Sequence, residues 1–294
     1  MHRRLAALCL LCGLSAAGSA RAQSPVWALH GAHNTVYLAE SVHLLKPGSA
    51  SLPSAFDRAW KDSSVLVMEL DLGHLDTSAL QAWMLQHGRL DGTTLEQVMG
   101  PEGYAKVLAA AVELGVPPEL LVGLKPWVAA LMLTDVSYVK LGFDPESGVE
   151  KQLLARNPDG GGTAAHQTAG LETIDQELGQ LDRLSLGDQA KFLAQTLEDL
   201  KDEQRDTDDM LRAWRTGDGA ALAKLLSEEY EEFPTLYDAL VTERNRRWLP
   251  QIQQFLQADH NYLVVVGALH VVGRGGLLDL ARGAGIKVEP VLVK

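Results

Sequence analysis

Two histidines and one glutamate stand where a folded α/β chain would bring side chains together. His43 follows the β-type run Thr35–Ala39, and His270 follows Tyr262–Val266, each just past the carboxyl end of its run. Ligands gather at that edge of a sheet, because the loops there expose side chains and helix N-termini. Glu69 interrupts a third run, Ser64–Leu72, at a position where an apolar residue is expected. A carboxylate in an interior strand must be paired, protonated or bound to a metal, since desolvating it alone is costly. Two imidazoles and a carboxylate are a familiar set for a divalent ion with positions left open for water. Spacing by itself leaves a plainer alternative open, in which single histidines at strand ends are hydrogen-bonded structural residues.

Other residues compete for the same role. Both cysteines, Cys9 and Cys12, fall near the N-terminus, so the remainder must build any metal site from His, Asp and Glu. His30 and His33 have H-x-x-H spacing, but they lie in the turn His30-Gly31-Ala32-His33-Asn34 and read as surface residues. His74 stands near the end of the Glu69 run, either as an outer partner of the site or as a loop residue. Gly160-Gly161-Gly162 lacks the following Lys-Ser/Thr of a phosphate cradle. No Ser or Cys sits in a recognisable nucleophile motif, which disfavours a covalent mechanism.

The elements that must position these residues come from both ends of the chain. Arg3-Arg4, the apolar run Leu5–Leu14 and Ala20-Arg21-Ala22 have the layout of a signal peptide cleaved before Gln23. That run is too short to span a bilayer. A mature chain of residues 23–294 is then periplasmic or secreted, and its lack of cysteine fits a core large enough to need no disulfide. Losing three arginines and no acids moves the formal charge from −12 to −15. So acidic a chain disfavours nucleic acid and anionic lipid as partners, and no later run is long enough for stable membrane insertion.

Val26–Leu29 and Thr35–Ala39 read as a hairpin, and Leu52-Pro53 opens a short helix through Phe56, Ala59 and Trp60. The unbroken apolar stretch Val65–Met68 predicts an interior strand. Residues 77–249 are helical in character. Thr94–Gln97 starts one helix, and Leu193, Leu197 and Leu200 mark the apolar stripe of another. The acids of Glu198–Asp209 read as a solvated helix face. Tyr262–Val266 and Lys287–Val293 return to strand, with a loop at Gly267–His270 and a helix over Gly276–Arg282. The expected fold is α/β: a central mixed sheet built from N- and C-terminal segments, with a large helical insertion, all in a single domain.

Further stretches carry a resemblance. Trp27-Ala28-Leu29, Thr35–Leu38, Val42–Leu45, Leu52-Pro53, Leu124–Trp127, Gly148–Glu150 and Gly170–Thr173 occur in that order. Ala213–Asp218, Glu243–Trp248, Val266–His270 and Gly273 complete the set. Together they resemble the TraB/GumN family, which is related to the animal Tiki metalloproteases and more distantly to the erythromycin-esterase/ChaN group. The resemblance implies a site made of two G-x-x-H motifs and a Glu on the strand between. His270 and Glu69 match, but the first motif has Glu40 where the glycine belongs. Glu40 is expected to turn either into the cluster or out to solvent, the outward orientation being favoured. Arg244 and Asn245 match the family's Arg-Asn signature. Arg244 would then clamp a substrate carboxylate or an oxyanion, or else form an ion pair holding helix to sheet. Glu172 would be a ligand or a helix partner.

The function so implied is an exported metal-dependent hydrolase, protease-like, acting on a peptide or small molecule. His43, Glu69 and His270 would hold Mn, Co or Zn, with Glu69 as third ligand or general base. Two alternatives remain: a non-catalytic peptide- or metal-binding protein on the same fold, and a metal-independent esterase-like hydrolase with a His base.

Overall fold

The structure, a computed structural model, describes residues 24–48, 51–157, 165–200, 203–228 and 234–293. The expected signal peptide lies outside the described residues. The strands are β1 (Val26–His30), β2 (Thr35–Ser41), β3 (Val65–Met68), β4 (Gln167–Gly170), β5 (Tyr262–Gly267) and β6 (Lys287–Pro290). They form one mixed sheet in the order β4-β3-β5-β2-β1-β6. β5 lies in the middle, parallel to β3 on one side and to β2 on the other. β1 runs antiparallel to both β2 and β6. The sheet is therefore assembled from the two ends of the chain, as expected, except for β4. That edge strand comes from inside the helical segment and pairs parallel with β3.

The helices are α1 (Ser54–Asp62), α2 (Thr77–His87), α3 (Leu95–Leu114), α4 (Pro126–Lys140), α5 (Val149–Leu154), α6 (Ile174–Glu177), α7 (Gly179–Asp182) and α8 (Leu186–Asp199). They continue with α9 (Glu203–Thr216), α10 (Gly219–Glu228), α11 (Pro234–Tyr237), α12 (Glu243–Phe255), α13 (Ala268–Val272) and α14 (Leu277–Gly283). Among the described residues, no helix is long and apolar enough to cross a membrane.

The period of two along each strand sorts side chains between two cores. Val26, Tyr37, Ala39, Leu66, Met68, Leu263 and Val265 face one side and pack with Phe56 of α1, Leu153 of α5 and Trp214 of α9. Leu29, Val36, Leu38, Val67, Val264 and Val266 face the other and pack with Trp248 of α12, Val271 of α13 and Leu277 of α14. Helices α3, α4 and α8 close a separate core of their own, around Leu95, Leu133 and Leu193. The sheet with its covering helices thus carries the strand ends where His43, Glu69 and His270 belong.

Two local expectations need correction. The run Ser64–Leu72 is strand only over Val65–Met68, and Glu69 is the first residue past it. A tight turn follows, in which Leu72 N–H donates to Leu70 O and His74 N–H to Asp71 O. Gly267–His270 is not a loop: β5 runs through Gly267, and His270 lies within the short helix α13.

Candidate active site

His43, Glu69 and His270 converge on the open space beside Gly267. A Cβ at that glycine would lie 3.4 Å from Glu69 Oε1, 3.7 Å from His270 Cδ2 and 3.8 Å from His43 Nε2. Three segments far apart in sequence meet there because β3, β5 and β2 are adjacent strands that end at the same edge.

Each group is held by partners that fix its orientation. Asn245, completely buried on the first turn of α12, donates from Nδ2 to the carbonyls of His270 and Gly275, both at 3.1 Å. Its Oδ1 therefore accepts from His270 Nδ1 at 2.8 Å. The imidazole proton is thereby assigned to Nδ1, and Nε2 is left as an acceptor, taken by Arg244 Nη1 at 3.2 Å. Burial, reinforced by the Arg244 charge against the opposing pull of Glu69, lowers His270 to about 3, so the ring is neutral. Trp248 tilts against it, ring centroids 4.4 Å apart.

His43 is held the same way from the opposite side of the sheet. Its Nδ1 pairs with Glu150 Oε1 at 3.0 Å, and the Ser41 hydroxyl donates to the same oxygen. The Glu150 carboxylate raises His43 well above the ordinary imidazole value, with smaller contributions from Glu69 and Glu177. The side chain is 64% exposed, which makes His43 the open rim of the site. Backbone contact explains how Glu150 reaches it. Val149 N–H donates to Val42 O, and a Cβ on Gly148 would lie 2.1 Å from His43 O, so only glycine allows this approach.

Glu69 accepts from Gly267 N–H at 2.7 Å and from Arg244 Nη2 at 2.5 Å. Burial alone would raise its carboxyl; Arg244 above all, with His43 and the Gly267 N–H, outweighs that and brings it to about 2. Arg244 Nε also donates to Glu172 Oε2 at 2.8 Å, and Arg247 takes Glu172 Oε1 at 2.9 Å. Glu172 N–H in turn donates to Glu69 O at 2.9 Å, so backbone pairing past β4 brings the two acids to one guanidinium. Arg244 thus ties α12 to the sheet edge while presenting its guanidinium to the cluster.

The donor set bears on whether a divalent ion fits. Both imidazoles are tied through Nδ1, the arrangement that second partners impose on metal-binding histidines, and a glycine keeps the space between them free. The buried Oε2 of Glu177, at the end of α6, has no hydrogen-bond partner. Burial first, then the nearby Glu69 charge, raise Glu177 to about 7. These groups suit a divalent ion chemically. They do not form a closed cage as they stand: among the described residues no three His, Asp or Glu groups are arranged to hold one ion. The positive charge between Glu69 and His270 is supplied by Arg244.

The remaining candidates lie elsewhere. His30 pairs with Glu289 at 2.9 Å on the outer strands, and His74 bonds Asp71 at 3.0 Å and Thr168 at 2.9 Å with 76% of its side chain exposed. Glu40 takes neither expected orientation. It is 1% exposed, on the same face of β2 as Val36 and Leu38, with Trp27 Nε1 donating to Oε1 at 3.2 Å. Two residues of the cluster carried no role in the sequence reading. Glu150 falls within Gly148–Glu150 without a role of its own, and Glu177 carries no spacing signal, because its neighbours Glu69, Arg244, His43 and Glu172 come from other segments of the chain.

Comparison with known proteins gives a consistent assignment. Residues 25–290 match the TraB/PrgY/gumN family. The chain is 26% identical over 251 residues to the uncharacterized protein YbaP of Escherichia coli (strain K12), covering 84% of this chain and 87% of that protein. The YbaP of Shigella flexneri gives the same figures, 26% over 251 residues. No solved structure matches.

Proposed function

Because the chain belongs to the TraB/PrgY/gumN family, we propose that it is an exported hydrolase acting on a peptide bond with the help of a divalent ion. The observation that carries this reading is the convergence of two Nδ1-tied imidazoles and a carboxylate on the space beside Gly267. His43, Glu69 and His270 would hold Mn, Co or Zn. Bound there, such an ion supplies Lewis acidity toward a carbonyl oxygen and toward water.

The chain's own residues divide the remaining work. Glu69, brought to about 2, is a weak base, which favours the ligand role over proton transfer. Glu177, raised to about 7, suits proton transfer near neutral pH. Amide hydrolysis joins the oxygen of water to the carbonyl carbon, breaks the C–N bond and delivers one proton to the leaving nitrogen. In this reading Glu177 takes the proton from water and passes it to that nitrogen. Arg244 steadies negative charge on the carbonyl oxygen. Glu150 and Asn245 hold the two rings in position, and the exposed flank of His43 admits the substrate.

A metal-independent reading draws on one observation: Arg244 already satisfies both Glu69 and His270. The two readings separate by metal content. Full-length mature chain, purified without a histidine tag, should bind about one equivalent of Mn²⁺, Co²⁺ or Zn²⁺ and cleave members of a peptide library. His270→Ala should lose both properties. Folded wild-type protein that binds none of the three ions overturns the metal reading. Export has its own check, an N-terminus near Gln23 on protein recovered outside the cytoplasm.

A further inference from the structure

The two edges of the sheet are finished differently. At β6 the sequence is KVEP: Lys287 and Glu289 pair at 2.9 Å, and Pro290 removes a backbone donor. Charge and proline are what keep an exposed strand from pairing with other chains. At β4 the sequence is QTAG, with neither charge nor proline.

The backbone of β4 alternates between its neighbour and the outside of the sheet. Gln167 N–H donates to Ser64 O at 3.1 Å, and Leu171 N–H donates to Met68 O at 2.9 Å. With a period of two, His166, Thr168 and Gly170 turn their N–H and C=O groups away from β3. The first of these positions is closed. Asn157 accepts from His166 N–H at 2.9 Å and donates to His166 O at 3.2 Å, as a partner strand would. The next two are open: among the described residues, no hydrogen bond reaches the outward backbone groups of Thr168 or Gly170. The Asp71–His74 turn holds only the Thr168 side chain, with His74 Nδ1 2.9 Å from its hydroxyl. Gly170 has no side chain to screen it and is exposed, whereas Leu171 and Glu172 beyond it are buried.

The open stretch thus offers two donors and two acceptors at strand spacing. It ends where Glu172 N–H donates to Glu69 O, beside the candidate site. A second copy of the chain, joined through so short an edge, gains too little to hold a dimer, because an isolated strand pair is marginal in water. An extended peptide that continues into the site gains contacts at both places. We propose that β4 binds an extended segment of the polypeptide substrate as an added strand of the sheet. Main-chain bonds to Thr168 and Gly170 hold that segment with little regard to its side chains, and its next residues lead toward Glu69. The added strand lies about 10 Å from β3, two strand spacings, which about three extended residues cross. The substrate class that follows is unfolded or loop polypeptide, not a small molecule. This inference rests on the reading of the Gly267 site as a peptide hydrolase.

The test uses the chain from Gln23 onward and the fluorescein-labelled hexapeptide Thr-Val-Thr-Val-Thr-Val, unmodified and with every backbone amide N-methylated. Anisotropy should show the unmodified peptide binding, and the methylated one at least about tenfold more weakly, from lost main-chain hydrogen bonds. Thr168→Pro removes one outward N–H and no bond to β3, and it should weaken binding by up to about tenfold. In the wild type, saturating peptide should slow hydrogen exchange of the Thr168 and Gly170 amides, a readout that does not depend on the proline variant folding. His270→Ala should bind the peptide as the wild type does. Peptide that binds here but is never cleaved removes the hydrolytic reading and keeps the edge as a peptide site. Cleavage of a peptide library with the same KM by wild type and Thr168→Pro removes the edge site and keeps hydrolysis. The proposal is also overturned by no binding at millimolar concentration, by equal affinity for the two peptides, by unchanged exchange at Thr168 and Gly170, or by a dimer that occupies β4.

Discussion

Glu40 and Glu69 are the same residue type, both buried, one on β2 and the other just past β3, and their carboxyls shift in opposite directions. Glu69 has a donor on each oxygen, Gly267 N–H and Arg244, and is brought to about 2. Glu40 has one neutral donor, Trp27, and an Oε2 with no partner; burial pushes it up to about 7. Burial opposes ionisation at both positions. The guanidinium reverses the outcome at one of them, so the charge of the site is set by α12 and not by the sheet.

Removing that guanidinium should have the largest effect. Arg244→Met strands Glu69 in a buried site and leaves Glu172 to Arg247 alone, a loss of about 3–5 kcal/mol by analogy with other broken buried pairs. The depressed carboxyl of Glu69 contributes stability above its unfolded value, and this is lost as pH falls through the folded value. The gap between Arg244→Met and wild type should therefore narrow from pH 7 to below pH 4 in urea unfolding. An unchanged midpoint at pH 7 would mean that the pair does not distinguish the two glutamates.

Glu40→Gln probes the other side. Glu40 is raised from 4.5 to about 7, so the native state binds the extra proton between those values. Stability should fall as pH rises across that window and level off above it. Glutamine cannot ionise, and it should stabilise the protein by up to roughly 3 kcal/mol at pH 8 and by nothing comparable at pH 4. Melting temperatures at the two pH values decide this; an equal shift at both would assign the titration to another group.

The smallest change in stability should come from Gly267→Ala. The backbone there, at φ −50° and ψ 140°, suits any residue, and the added Cβ makes only ordinary contacts. Melting should shift by less than about 1 kcal/mol, toward greater stability. Affinity for Mn²⁺ should nevertheless drop, because the methyl group enters the space that His43, Glu69 and His270 share. Unaltered Mn²⁺ binding would detach that space from the proposed chemistry.

What the sequence makes legible follows from patterns that survive burial. Val65–Met68 and Tyr262–Val266 are apolar on both faces, so their place inside a sheet can be read directly. β4, with the sequence QTAG and an exposed edge, has no such pattern and passes for part of a helical segment. The short helix α13 has five residues, too few to show a period, so His270 reads as a loop residue. Glu40 could have been placed: the alternation of Val36 and Leu38 extends to it and puts it on their buried face. Arg244 reads from the sequence either as an anion clamp or as a tie between helix and sheet. That it meets Glu69 and His270 as well depends on three-dimensional convergence that no local spacing encodes.

The position of β5 has a kinetic consequence. β2 and β3 are not hydrogen-bonded to each other; each pairs with β5, and Thr35 N–H meets the Asn261 side chain across 226 residues. Before β5 has been synthesised, β1 and β2 are an isolated hairpin, which is marginal in water, and β3 lacks its central neighbour. Closing contacts over so long a span carries a loop-entropy penalty and slows folding. The sheet is therefore complete only once β5 and the segment after it arrive, whereas the core closed by α3, α4 and α8 lies wholly within the chain that precedes them.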